Sequence, residues 1–233
     1  RLEMCPPENA LTPEAASHLC LSLLDEEAVA VFEDQGDVGV ALELEGGCRY
    51  RANVSYSRSG VTGTYHIVPD EVHTLEELGF TNHADIARLL ENDNGLFLVT
   101  GPAGSGKTST LAALVDVINR KRYCHVITIE DPIEIIYPIG TCFITQRQVG
   151  LHTHGYASAL KAALREDPDV IVIGEMHDLE TMEIAIPASE TGHLVLATLH
   201  TRDAASTLSR LLGVFPPNQQ SQIRAMVSES LRG

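Results

Sequence analysis

The eight residues GPAGSGKT, Gly101–Thr108, constrain this chain more than any other stretch. They satisfy G-x-x-x-x-G-K-S/T in full, follow the apolar run LFLVT and open a segment with helical spacing. In that strand–loop–helix setting the glycines let backbone amides curl around a phosphate, and the helix N-terminus adds the positive end of its dipole. The loop comprises Gly101, Pro102, Ala103, Gly104, Ser105, Gly106, Lys107, Thr108 and Ser109. Lys107 is expected to reach the β- and γ-phosphates of a nucleoside triphosphate, and the Thr108 hydroxyl to face Mg²⁺. The alternative is a glycine-rich turn that binds nothing; the complete match and its setting count against it.

The pattern around this loop predicts its scaffold. From Gly95 onward short apolar runs (LFLVT, HVITIE, DVIVIGE, HLVLATLH) alternate with helical stretches after Gly106, near Tyr156–Glu166, from Leu179 and from Asp203. Such alternation implies a mainly parallel sheet with helices on both faces, with ligands at the carboxyl ends of the strands. The segment before it reads as a small α+β unit. LTPEAASHLCLSLL (Leu11–Leu24) has helical spacing, with Thr12 and Pro13 as a start signal. DVGVALEL, CRYRANVSY and GTYHIV alternate as antiparallel strands, separated by Gly46-Gly47 and by a turn over Ser57–Gly63. A transition through Pro69 and LEELGF leads to a helix in HADIARLLEN. The boundary is expected near residue 80, giving a small domain over 1–79 and an α/β core over 80–233.

Three strand tips carry polar residues. DVIVIGE is expected to lie beside the phosphate-loop strand and to aim Glu175 at the same crevice, where it would polarise water or hold Mg²⁺ partly through water. Asp169, at the other end of that run, is expected to be structural. HVITIEDPIE supplies Glu130, Asp131 and Glu134, and HLVLATLHT supplies His193 and His200. Any of these alone would be an ordinary hydrogen-bonded surface residue; the set converging on one crevice points to nucleotide chemistry.

Composition excludes several classes. Residues 1–95 hold 5 of the 16 Lys and Arg but 18 of the 32 Asp and Glu, within a net charge of −16. No basic stripe for nucleic acid is visible, and the acidic front is read as a solubilising surface rather than a docking face. No apolar run approaches the roughly 20 residues of a membrane-spanning helix, and the N-terminus lacks the apolar core of a secretory signal. The cysteines Cys5, Cys20, Cys48, Cys124 and Cys142 are odd in number and widely spaced, which suits reduced thiols in a cytoplasmic protein rather than a disulfide framework or a zinc site.

Taken together, GPAGSGKT, VITIEDPIE, LKAALREDPDVIVIGEM and ETGHLVLATLHT resemble the secretion ATPase superfamily, and most of all the type IV pilus retraction (PilT-like, twitching motility) ATPases. HTLEELG, QRQVGL and FPPNQQ…SESLRG extend the resemblance over nearly the whole chain. It implies a PAS-like N-terminal domain, a RecA-like P-loop NTPase core, ATP and Mg²⁺, a homohexamer, and an inner-membrane platform protein as partner, with the ring in the cytoplasm peripheral to that membrane. By position it assigns water activation to Glu134, the Walker B role to Glu175, and γ-phosphate sensing to His200, with His193 as the other histidine of that box. Arg51 matches an N-terminal arginine brought to the phosphates, and Arg58 is a helper candidate. The family's opening segment is expected before Arg1 and its helical C-terminal domain after Gly233, so the chain is expected to be cut at both ends.

Three positions depart from the family pattern. His66 stands where a second N-terminal arginine is expected, and His177 replaces the arginine of GEMRD. Arginine is always charged and forks onto phosphate oxygens, whereas histidine is largely neutral at pH 7. Pro187 falls within a predicted helix, where it removes a hydrogen bond to Glu183 and is expected to bend the helix. The favoured function is an ATP-driven pilus retraction motor. The alternatives are a weakly active or inactive nucleotide-binding regulator, motivated by the two histidines, and an ATPase of pilus assembly or type II secretion. A nucleic-acid motor is disfavoured by charge.

Overall fold

The computed structural model describes residues 10–43, 49–68 and 72–233. Cys5, Cys48, the Gly46-Gly47 turn and Pro69 lie outside them. The chain divides into two compact units, Arg1–Asp70 and Glu71–Gly233.

The first unit contains helices α1 (Pro13–Ser22) and α2 (Glu26–Gln35) and strands β1 (Asp37–Glu43), β2 (Arg49–Ser57) and β3 (Gly60–Val68). Thr12 caps α1 as expected, accepting from the Ala15 amide at 3.2 Å. Helix α2 was not expected from the sequence, yet its signals are local. Asp25 accepts from the Ala28 amide at 2.8 Å, Glu26 and Glu27 complement the dipole of the first turn, and Gly36 closes the helix at φ +82°. The strands form an antiparallel sheet in the order β1-β2-β3. Ser57 pairs with Gly60, so the turn is the two residues Arg58 and Ser59 and is tighter than the predicted Ser57–Gly63. Phe32, Val38, Val54 and Val61 form the core of the unit with Cys20 and Ala28.

The second unit contains α3 (His83–Leu89), β4 (Gly95–Thr100), α4 (Lys107–Lys121), β5 (His125–Glu130), β6 (Phe143–Gln148), α5 (Tyr156–Ala163), β7 (Val170–Ile173), α6 (Leu179–Glu190), β8 (Leu194–Leu199), α7 (Ala204–Gly213) and α8 (Gln220–Ser230). Five strands make an all-parallel sheet in the order β4-β8-β7-β5-β6. Its two faces carry separate apolar clusters. One joins Leu160, Ile171, Met182, Ile186, Val195 and Ile223 from α5, β7, α6, β8 and α8. The other joins Leu75, Leu90, Leu114, Ile118 and Leu196, so the segment before α3 packs with this unit. The α/β class with helices on both faces is as the alternation predicted.

One expectation is corrected and one strand is added. Strand β7, which leads to Glu175, does not lie beside the phosphate-loop strand β4: β8 separates them, with Leu194 level with both Gly95 and Val170. Every residue of β8 is buried. An uninterrupted apolar run is best satisfied in the middle of the sheet, covered on both faces and both edges. Strand β6 was not recognised because FITQRQ is polar, which fits its place at the sheet edge. The other edge is closed by the last residues of the chain: Arg232 donates its amide to Leu96 O, and Leu98 to Gly233 O, both at 2.9 Å. Pro187 sits one turn before the end of α6, and the helix runs through it. Among the described residues no helix is long and apolar enough to cross a membrane.

Candidate active site

The phosphate loop occupies the turn between β4 and α4. Gly104 and Gly106 take φ of +75° and +88°, which side-chain-bearing residues rarely adopt, and a Cβ on Gly101 would collide with Ser105 Oγ. No side chain caps α4 at Gly106, so its first-turn amides face the loop opening. Thr108 is exposed there. The loop thus has the form of an anion cradle.

Lys107 Nζ donates to Pro102 O at 2.9 Å and lies 3.5 Å from His200 Nδ1. His200 Nε2 lies 3.5 Å from Glu175 Oε1. An ammonium can only donate and a carboxylate only accept, so one neutral tautomer, with the proton on Nε2, serves both neighbours. Arg210 in α7 holds this end of β8 by donating to His200 O at 3.0 Å. Glu175 reaches the same place because the chain beyond β7 stays beside β8: Met176 donates its amide to Thr198 O at 3.0 Å, and Thr198 Oγ1 donates to Gly174 O at 2.5 Å. The intervening β8 therefore does not separate Glu175 from Lys107; His200, just beyond its last residue, joins them.

The aspartate-box residues lie at the end of β5. Glu130 is buried and accepts from Thr128 Oγ1 at 2.6 Å and Gln146 Nε2 at 3.0 Å. Burial pushes its carboxyl above the ordinary glutamate value, against the hydrogen bonds from Thr128, Gln146 and the Glu134 amide, while the Glu134 charge adds to the rise. This is a structural anchor for the following loop. Asp131 is exposed and Glu134 half-buried within that loop.

Other sequence candidates fall elsewhere. His193 lies before the first residue of β8, at the opposite end from His200, with Nδ1 3.2 Å from Ala188 O; it is not brought to the phosphate loop. Asp169 is also at that far end, accepting from the His125 amide at 2.8 Å. His177 is exposed, with its ring edge-on to Tyr156 at 6.0 Å between centroids. In the first unit Arg51 and His66 are direct cross-strand partners, so the histidine stands beside the arginine on one face. Arg58 is in the turn at the other end of that hairpin and is not brought to Arg51.

Some residues at the crevice escaped the sequence reading. A cavity of about 430 Å³ adjoins the phosphate loop, and Arg202 lines it together with Lys107, Gly101 and Ser105. Tyr156 opens α5 with its phenol buried. Burial, with the Asp131, Glu175 and Glu130 charges adding, pushes that phenol well above its ordinary value, partly opposed by a hydrogen bond with the Glu175 backbone. The signal for Arg202 was its place two residues beyond His200; Tyr156 offered none.

The chain is 43% identical over 218 residues to the type IV pilus retraction ATPase PilT of Pseudomonas aeruginosa, covering 92% of this chain and 62% of that protein. It is 42% identical over 232 residues to the uncharacterized protein YggR of Escherichia coli, covering 100% of this chain and 69% of YggR. The crystal structure of the pilus retraction motor PilT with bound ADP superposes with a TM-score of 0.88 at 44% identity, over 93% of this chain and 63% of that one. Legionella pneumophila DotB, an ATPase, superposes at 0.81 and 25% identity, over 95% of this chain and 63% of DotB. Residues 67–231 match the type II/IV secretion system protein family, and the chain belongs to that family.

Proposed function

We propose that this chain is the ATP-hydrolysing part of a hexameric motor that powers retraction of a type IV pilus. The observation that carries the reading is the constellation at the carboxyl edge of the sheet, where His200 links Lys107 of the phosphate loop to Glu175. PilT, the pilus retraction relative, supports the direction of work. In the reaction, the oxygen of water bonds to the γ-phosphorus as the bond to the ADP oxygen breaks. The proton of that water passes to Glu134, leaving ADP and phosphate. Lys107 and the loop amides hold the β- and γ-phosphates, and His200 donates from Nε2 once it turns from Glu175 to the γ-phosphate. Thr108 and Glu175 would hold Mg²⁺, Glu175 partly through water, and Mg²⁺ supplies charge neutralisation on the transferring group. Arg51, with basic groups of a neighbouring subunit, adds positive charge on closure. The first unit would form the PAS-like domain and the second the catalytic core, with the boundary at residue 70 rather than the expected 79. The ring would act in the cytoplasm on an inner-membrane platform protein.

The test is steady-state ATP hydrolysis by an assembled ring, with Glu175→Gln as the blank. Activity at least about 10²-fold above that blank is expected. Activity equal to the blank, with ATP still bound, would overturn the motor. A second reading, a ring member that binds ATP but turns it over slowly or not at all, draws on His66 beside Arg51 and on His177. Restoring arginine at both positions separates the two. A rise near the roughly 10³-fold worth of an arginine finger favours the regulator, and a change below about threefold favours the motor.

A further inference from the structure

We propose that Gln146 and Gln148 are positioning residues that set where the Glu134 carboxylate points; the inference rests on the reading of Glu134 as the water-activating base. Residues 131–142 connect two adjacent parallel strands, β5 and β6, without a helix or strand of their own. Backbone groups in such a loop need partners other than a regular ladder. Two side chains on one face of β6 provide them. Gln148 Oε1 accepts from the Ile133 amide at 3.1 Å. Gln146 Nε2 donates to Ile135 O at 2.8 Å, and Gln146 Oε1 accepts from the Tyr137 amide at 3.3 Å. The residue before Glu134 is therefore held by one glutamine and the residue after it by the other.

Three further contacts make this a clamp. Ile133 and Ile135 are buried, which fixes the side chains on either side of Glu134 inward. Gln146 Nε2 also reaches Glu130 Oε1 at 3.0 Å, and the Glu134 amide donates to that same carboxylate. A primary amide suits this work because it offers both a donor and an acceptor without charge. At Gln146 a charged side chain would act on Glu130 directly, whereas Gln148 serves as an acceptor for the Ile133 amide. The polar pattern of FITQRQ, which hid the strand in the sequence, is then explained: alternate residues of an edge strand serve the loop instead of a core.

The experiment compares Gln148→Met, which keeps length and volume but loses the acceptor, with Gln148→Glu, which keeps an acceptor oxygen. Gln146→Met is a second variant and Glu134→Gln the reference. Each is assayed as the assembled protein for kcat, KM for ATP, affinity for a fluorescent ATP analogue, and Tm. Misplacing a reacting group by about 1 Å costs on the order of 10²-fold, so Gln148→Met is expected to lower kcat by roughly 10–100-fold. KM and analogue affinity should stay within about twofold, because the phosphate loop is untouched, and Gln148→Glu should recover most of kcat. Wild-type kcat in both methionine variants, beside an inactive Glu134→Gln, would overturn the clamp and leave the catalytic reading intact. Losses of kcat that track weaker analogue binding and lower Tm would overturn it in favour of a merely structural role. Wild-type kcat in Glu134→Gln would remove the base itself, and the clamp with it.

Discussion

At the residue scale the site is a short relay: Pro102 O, Lys107, His200 and Glu175. A histidine between an ammonium and a carboxylate costs little to rearrange here, because both contacts, at 3.5 Å, are long. His200→Ala is accordingly expected to reduce kcat by about 10²-fold, the usual loss for one donor to a developing charge. Nucleotide affinity should change little, since Lys107 keeps its place through Pro102; titration of an ATP analogue checks this. Gly101→Ala should do the reverse. Its Cβ would collide with Ser105 Oγ inside the cradle, and overpacking of about 1–3 kcal/mol falls on the loop that holds phosphate. Binding weaker by roughly 5–150-fold is expected, with the rest of the fold intact by circular dichroism.

At the element scale, helix α6 is fastened to the end of the Glu175 segment by its cap. Asp178 Oδ1 accepts from the Thr181 amide at 2.8 Å and Oδ2 from Thr181 Oγ1 at 2.7 Å. Partial burial raises the Asp178 carboxyl, but these two bonds and nearby His177 outweigh it and leave the group below its ordinary value. A depressed carboxyl contributes stability that is present above its unfolded value and lost as pH falls through its folded value. Asp178→Ala should therefore lower Tm at pH 7 by about 2–4 °C, the effect of a cap contributing about 1 kcal/mol. The gap between variant and wild type should close as the pH falls below the carboxylate range. Thermal melts at several pH values test both the size and the sign. Elements of this kind also show what the sequence made legible. The phosphate loop, the four apolar strands and the capped α1 were readable because periodicity and local start signals agree. Strand order was not, since HLVLATLH and DVIVIGE are equally apolar and only packing decides which lies beside β4. Strand β6 and α2 were missed for opposite reasons: one carries glutamines that serve a loop, and the other has its caps in plain view but is short and rich in acidic residues. Glu175 and His200 were legible as strand tips, whereas the glutamine clamp and Tyr156 depend on tertiary contacts that no spacing announces.

At the scale of the whole molecule, the two units carry different parts of the proposed chemistry. The loop, both acids and His200 belong to the second unit, while Arg51 and His66 belong to the first. In the proposed ring, heterologous contacts would let a conformational step in one subunit bear on the next. Coupling of that kind has a signature independent of the absolute rate. Wild-type chain is mixed with increasing proportions of Glu175→Gln, a subunit expected to bind ATP and stall, and the rings are allowed to exchange subunits. Independent sites would lose activity in proportion to the fraction of stalled chain, leaving half at an equal mixture. Sites that must close in sequence lose more, because a single stalled neighbour holds the ring; in the limit where any of six positions blocks turnover, an equal mixture retains only about 2%. A residual activity below about a quarter is expected here. A straight line through one half would mean that each subunit hydrolyses ATP on its own, and the mechanical reading of the assembly would fail while the chemistry of the single site remained.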